Sequence, residues 1–332
     1  MSLLRPILML AVVIGACVLT TRFTPHHSAE NSGAFNALYM HLMPAALEAP
    51  HHDDAGEEAG HGEEAGKEAD DHAHGEPLFA LSLPASLAIF DYNQDPSDGV
   101  QLVAFNLQIF QLAAVLLILI GFAGVPRHMK DGKGDVVTRF LAGACMYVRD
   151  EIVRPNMQRA HAEKLMPLFL YLFFFILFMN LMGLVPGSVT PTACIWVTAA
   201  LALIVLVMMI IGGMVVQGPV AYWKNLVPHV PLGLWPLLFV VEVVGVLVKP
   251  FALTIRLFAN MTGGHMVVLS FMGLIFYFAG NSFSPMGYAT ALPAVAFGVF
   301  IMIIEAFVAF MQAYVFTILS AIFVGSSLHP EH

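Results

Sequence analysis

Beyond residue 101 the chain is a succession of long apolar blocks divided by short polar interruptions. One membrane crossing needs about 20 apolar residues, because an α-helix rises about 1.5 Å per residue and the hydrocarbon layer is about 30 Å thick. LVAFNLQIFQLAAVLLILIGFAGV (102–125) predicts a first spanning helix, with Asn106, Gln108 and Gln111 near its start, positions suited to an interface or to contact with another helix. LMPLFLYLFFFILFMNLMGLVPG (165–187) predicts a second, and CIWVTAALALIVLVMMIIGG (194–213) a third; the turn with Pro186, Gly187 and Pro191 joins them as a hairpin. The connection 214–235, with Lys224, Pro228, His229, Pro231 and Trp235, suits a loop at the membrane surface.

Two further blocks differ in kind. Residues 236–280 hold 45 mostly apolar residues, roughly 67 Å of helix, more than twice the hydrocarbon thickness. Such a length implies steep tilt, a break, or both, with Gly263 and Gly264 as natural break points and Pro250 as a kink. After the polar GNSFSP, residues 288–328 give another long apolar segment and then the tail HPEH (329–332). The expected fold is all-α and polytopic, with about five membrane-embedded helices, the last two forming a long tilted hairpin.

Charge sets the orientation. Residues 126–164 carry eight bases (Arg127, Lys130, Lys133, Arg139, Arg149, Arg154, Arg159, Lys164) against five acids, so this loop is expected on the cytoplasmic side, with the first span entering from outside and the C-terminal tail cytoplasmic. Within it, RFLAGACMYVRDEIV has the pattern of an interfacial helix. The N-terminal MSLLRPILMLAVVIGACVLTTRF has one early arginine and an apolar core of about 14 residues, the form of a signal peptide more than of an anchor. IGAC, ending at Cys17, also has the small residues of a lipoprotein processing site. The chain thus divides into a signal-like or anchor segment (1–25), an extracytoplasmic extension (26–100), a membrane domain (101–328) and the tail (329–332).

Composition excludes a soluble fold: 58% of the 332 residues are hydrophobic, 11% are charged, and the mean hydropathy is +0.79. The formal net charge of -9 is concentrated in residues 48–76, which hold eleven of the 23 acids and one of the 14 bases, leaving the rest of the chain near neutral. That stretch has no apolar periodicity and cannot offset the entropy of ordering, so it reads as disordered and solvated. Its histidines (His51, His52, His61, His72, His74) interleave with carboxylates in a pattern suited to weak Zn²⁺ or Cu²⁺ binding, or to none. Cys17, Cys145 and Cys194 lack the spacing of a disulfide framework or a thiolate metal site.

The last two blocks carry Glu242, Lys249, Arg256, His265 and Glu305, with Asn260 and Gln312. An intramembrane charge costs from about 2.5 to well over 10 kcal/mol, so five in two helices require partners or water and suggest an ion path. Glu242, Lys249 and Arg256 recur every seven residues and share a helix face, as do Glu305 and Gln312. His265, nine residues after Arg256, falls on the opposite side, so either the glycines redirect the chain or His265 serves a path away from the arginine. Arginine stays protonated and suits a fixed electrostatic gate. His265 and Glu305 suit proton exchange, with Asn260 and Gln312 ordering water between them.

In order and spacing, NLVPHVPLGLWPLLFVVEVVGVLVKPFALTIRLFANMTGGHMV (225–267), IIEAFVAFMQAYVFTILSAIFVG (303–325) and FMNLMGLVPG (178–187) resemble subunit a of the F-type ATP synthase, over roughly residues 100–328. The resemblance implies a stationary subunit of the inner membrane beside the rotating c-ring, with no catalytic site or cofactor of its own. Its implied partners are the c-ring, the subunit b peripheral stalk, the remainder of the F1F0 complex and membrane lipid, and no nucleic acid. It places Arg256 at the family's essential arginine, Asn260, His265, Glu305 and Gln312 in the half-channel open to the outside, and Glu242 on the side leading to the cytoplasm. Cys194 and Trp196 stand where the family often carries Asp or Asn, so the resemblance implies no polar contact there. Two other classes compete: a secondary ion or metal transporter fed by the His-rich segment, against which no H-x-x-x-H or H-E-x-x-H occurs in the spans, and a membrane-embedded enzyme, for which no nucleophile and base recur.

Overall fold

The computed structural model describes residues 4–23, 80–82, 101–103, 106–132, 134–185, 190–227, 234–279 and 285–328. Nine α-helices are formed among these residues: α1 (Leu4–Phe23), α2 (Asn106–Phe122), α3 (Val125–Asp131), α4 (Val136–Tyr147), α5 (Arg159–Gly183), α6 (Ile195–Gln217), α7 (Pro219–Asn225), α8 (Trp235–Ala279) and α9 (Pro285–Leu328). Five stretches are long and apolar enough to cross a membrane: Leu107–Asp131, Arg159–Gly183, Ile195–Gln217, Trp235–Ile275 and Ala289–Leu328. In hydrocarbon every backbone N–H and C=O needs an internal partner, and the helix supplies all of them within one segment.

Local chemistry sets the ends. Gly132 adopts φ 65° and closes α3, its N–H donating to the His128 carbonyl at 2.9 Å. Gly218, at φ 92°, separates α6 from α7, and Pro219 then opens α7, where its missing N–H costs nothing. The amphipathic stretch forms α4, continues as a π-helical turn (Val148–Val153) and ends in a 3-10 turn (Arg154–Asn156). It buries Thr138, Leu141, Ala142, Val148, Ile152 and Val153 on one face. On the outer face Asp150 accepts two hydrogen bonds from Arg149 (both 2.9 Å) and one from Arg154 (2.8 Å), and the Arg149 bond first of all holds its carboxyl below the ordinary carboxylate range.

Packing centres on α5. It contacts α9 and α2, while α6 packs on both α8 and α9, and those two lie along each other. Phe169, Leu172, Phe173, Ile176 and Met179 of α5 are fully enclosed and belong to one apolar cluster with Phe110 of α2, Met209 of α6, Leu253 and Leu257 of α8 and Phe316 of α9. Between apolar helices in lipid, close packing rather than water exclusion drives such contacts. The spans differ in how much they enclose: half of the most apolar window of α5 is buried, against 22% for α8 and for α9. The long hairpin therefore turns most of its surface away from the rest of the chain.

The structure departs from the sequence reading at two places. α8 runs unbroken through Pro250, Gly263 and Gly264, so of the tilt and the break offered for its length, the break is absent. A helix in apolar surroundings keeps its hydrogen bonds because nothing else can replace them, and the Pro250 carbonyl also accepts from Thr254 Oγ1 at 3.0 Å. The first span starts at Asn106 rather than 102, because Gln101–Val103 pairs antiparallel with Ala80–Ser82, a short β-ribbon (β1 Ala80–Ser82, β2 Gln101–Val103) within an otherwise helical fold. The N-terminal segment is a 20-residue helix laid against α2, with Ala16 and Thr20 buried. Arg5 Nη1 in it donates to Thr138 Oγ1 at 2.8 Å and lies 3.9 Å from Asp135. The acidic stretch 48–76 with its five histidines, the polar turn at 280–284 and the tail 329–332 lie outside the described residues.

Candidate functional site

All the intramembrane ionisable groups singled out above lie on α8 and α9. Because α8 is continuous, positions along it convert to distance: the 23 residues from Glu242 to His265 cover about 35 Å, and Arg256 stands between them, about 13 Å from the histidine. Three environments follow in sequence along this one helix.

At the first, Glu242 and Lys249 line a cavity of about 850 Å³. Its other polar walls come from the 3-10 turn, α6, α7 and the end of α9, including Asn156, Gln217, Tyr222, Asn225 and Ser327. Gln217 Nε2 donates to the Ser327 carbonyl at 2.7 Å and Gln217 Oε1 accepts from Asn225 at 3.2 Å, which ties α6, α7 and α9 together at the cavity wall. Gly213 lets Tyr222 approach, since a Cβ there would strike the tyrosine ring. Lys249 Nζ sits 5.5 Å from the Phe323 ring centroid, a cation–π contact at the edge of the same space.

At the second, Arg256 is exposed, and no acid among the described residues lies within ion-pair distance of it. Neither Glu242 nor Glu305 pairs with it. Its neighbours Ala252 and Ala259 are exposed as well, so the arginine is carried on an open face of small residues.

The third environment runs from an exposed asparagine to an enclosed pair. Asn260 Nδ2 donates to Gln312 Oε1 at 2.8 Å, joining α8 to α9. Farther along, His265 Nδ1 lies 3.7 Å from Glu305 Oε1, with side-chain exposures of 12% and 8%. Gly264 makes this approach possible, because a Cβ there would collide with the Glu305 carboxyl group. Glu305 Oε1 and Gln312 Nε2 are buried without a hydrogen-bond partner among the described residues. Buried polar atoms of this kind need a partner such as ordered water.

The structure thus brings together four of the predicted residues, Asn260 with Gln312 and His265 with Glu305. It puts Glu242 in a separate cavity and gives Arg256 no ion pair among the described residues. Of the two alternatives for His265, the first does not apply: the glycines do not redirect the chain, and nine residues of continuous helix put the histidine on the side opposite the arginine. Sequence reasoning missed Thr190, whose Oγ1 lies 2.6 Å from His265 Nε2, and the buried Thr192–Asn180 pair beside it (2.7 Å). The available signals were a polar Asn180 inside an apolar block and two threonines flanking Pro191 between spans.

Residues 108–325 match the family model described as ATP synthase A chain. A protein named ATP synthase subunit a from Myxococcus xanthus is 44% identical over 208 residues, covering 63% of this chain and 64% of its own. One of the same name from an Anaeromyxobacter species is 40% identical over 225 residues, covering 67% and 53%. ATP synthase subunit a 2 from Chlorobium luteolum is 32% identical over 341 positions, covering 100% and 93%. The chain spans about half to two thirds of the length of the first two relatives and nearly all of the third. With most of its membrane domain inside the matched region, the chain belongs to the ATP synthase A chain family.

Proposed function

We propose that this chain is the stationary proton-conducting subunit of an F-type ATP synthase in the inner membrane, working against a c-ring with the subunit b stalk and the rest of the F1F0 complex. The observation that carries the reading is the order along α8: a polar cavity at Glu242, an exposed Arg256 with no ion pair among the described residues, and an enclosed His265–Glu305 pair. Two polar regions separated along and around one helix, with a fixed cation between them, are what two offset half-channels require.

The excess of bases at 126–164 assigns the Glu242 cavity, which Asn156 also lines, to the cytoplasmic side. The His265–Glu305 region then belongs to the outer side, the acidic extension 26–100 is extracytoplasmic, and the tail 329–332 is cytoplasmic. A proton enters through His265 and Glu305, with water held by Asn260 and Gln312, and neutralises a c-ring carboxylate. The ring carries it round, and it leaves through the Glu242 cavity. Arg256 attracts the carboxylate once it is ionised, and its fixed positive charge bars direct passage of protons between the two regions. Each charge crossing about 100 mV gains about 2.3 kcal/mol, so several must pass for each ATP. The open faces of α8 and α9 are the surface that such a ring covers.

The test is proximity. With the native cysteines replaced by serine, a cysteine at Ala252 or Ala259, both on the arginine's open face, is expected to form a disulfide with a cysteine set beside the c-ring carboxylate. Cross-linking from the buried side of α8 but not from these positions would contradict the reading.

A further inference from the structure

The reading above gives His265 and Glu305 the proton-exchanging role but leaves open what fixes the imidazole. From the geometry we infer that Thr190 is a positioning residue for His265, holding the ring by its Nε2 so that Nδ1 alone faces Glu305; this rests on the proposed function of that site.

The two ring nitrogens have different neighbours. Nε2 is 2.6 Å from Thr190 Oγ1, and Nδ1 is 3.7 Å from Glu305 Oε1. A neutral imidazole carries one N–H, and the hydrogen bond made by one nitrogen decides the state of the other. With Glu305 protonated and the pair drawn in from 3.7 Å to hydrogen-bond distance, its O–H points at a bare Nδ1 and the ring's N–H lies on Nε2, donating to Thr190. When the proton crosses, the Glu305 O–H bond breaks and an Nδ1–H bond forms, giving a carboxylate and an imidazolium, and Nε2–H still donates to Thr190. The hydroxyl serves as acceptor in both states. It therefore keeps the ring in one tautomer and one orientation through the exchange, without carrying the proton.

Thr190 is also held in place more firmly than a connecting turn requires. It is 2% exposed, and its carbonyl starts the 3-10 turn Pro191–Ala193 by accepting from Ala193 N–H at 3.0 Å. That turn is fastened to three helices. Thr192 Oγ1 donates to Asn180 Oδ1 of α5 at 2.7 Å, Asn180 Nδ2 donates to the Ala309 carbonyl of α9 at 3.4 Å, and Thr262 Oγ1 of α8 donates to the Ala193 carbonyl at 3.5 Å. Gly183 completes the seat, since a Cβ there would collide with the Thr190 hydroxyl. Bare glycine surfaces thus admit both of the histidine's partners, Thr190 at Gly183 and Glu305 at Gly264.

The experiment measures passive proton conduction in F1-stripped vesicles carrying the complete membrane sector, with assembly checked by the amount of c-ring recovered. Thr190→Val keeps the shape and removes the hydroxyl. It is expected to lower conduction about three- to tenfold, the effect of one lost hydrogen bond, and Thr190→Ser is expected to restore most of it. Wild-type conduction in Thr190→Val, or equal losses in the valine and serine variants, would overturn the inference. Should the valine variant not assemble, Thr190→Ala, which introduces no clash, replaces it, and conduction at the wild-type rate there would overturn the inference equally. ATP-driven pumping by Arg256→Ala in unstripped vesicles that keep the complete F1F0 complex separates the two levels. Loss of pumping there with no effect at Thr190 removes only this inference, whereas retained pumping removes the functional reading beneath it.

Discussion

The arginine and the histidine of α8 stand nine residues apart on one helix and could hardly be housed more differently. His265 is enclosed, with Thr190 on one nitrogen and Glu305 toward the other, and glycines clear the space for both partners. Arg256 is exposed among small residues and pairs with no acid among the described residues. A charge of that cost in a span needs a counterpart. Where the chain could have supplied one from Glu242 or Glu305, it keeps both elsewhere. On the proposed function, the difference separates a site built within the chain from one that another subunit completes, and it predicts that substitutions at the two sites fail in different ways.

The largest effect expected at the enclosed site comes from a methyl group. Gly264→Ala sets a Cβ against the Glu305 carboxyl group, whereas Gly263→Ala meets nothing within 4 Å. Proton conduction in F1-stripped vesicles is expected to fall tenfold or more in the first and to stay at the wild-type level in the second, which is next to it in sequence. Equal behaviour of the two would mean that the close approach of Glu305 to α8 has no part in conduction.

The smallest effect lies away from both sites, where the comparison predicts structural rather than functional sensitivity. Asp150 is exposed and held by Arg149 and Arg154. Its lowered folded-state pKa contributes stability that is present above the unfolded value of about 4 and lost as the pH falls through the folded value. Asp150→Asn is expected to lower the melting temperature of the detergent-solubilised complex slightly at pH 7, by a margin that shrinks below about pH 4. Pumping should not change. A loss of pumping in this variant would show that the polar groups of the chain are not divided as described.

Much of this was legible in sequence because it depends on length and period. The five spans follow from apolar runs, whereas Asn260 and Gln312, read as ordering water, are found hydrogen-bonded to each other across α8 and α9. The Glu305–Gln312 spacing put both on one face, and both are buried. The expected break at Gly263 and Gly264 failed because their small size serves packing: Gly264 admits Glu305 rather than ending the helix. Thr190 was not legible because its role depends on a turn whose path is set by contacts to three helices, none of them local in sequence. The β-ribbon at 80–82 and 101–103 was hidden for a similar reason, since each strand is three residues long and gains its partner across the extension.

The central claim concerns Arg256, and ATP-driven proton pumping in inverted vesicles carrying the complete complex tests it most directly, with Arg256→Ala set against wild type. The exposed site carries no packing role within the chain, so the variant is expected to assemble. It should nevertheless lose pumping altogether and let protons leak passively, because nothing then separates the two polar regions. An assembled Arg256→Ala complex that pumps at the wild-type rate would contradict the account.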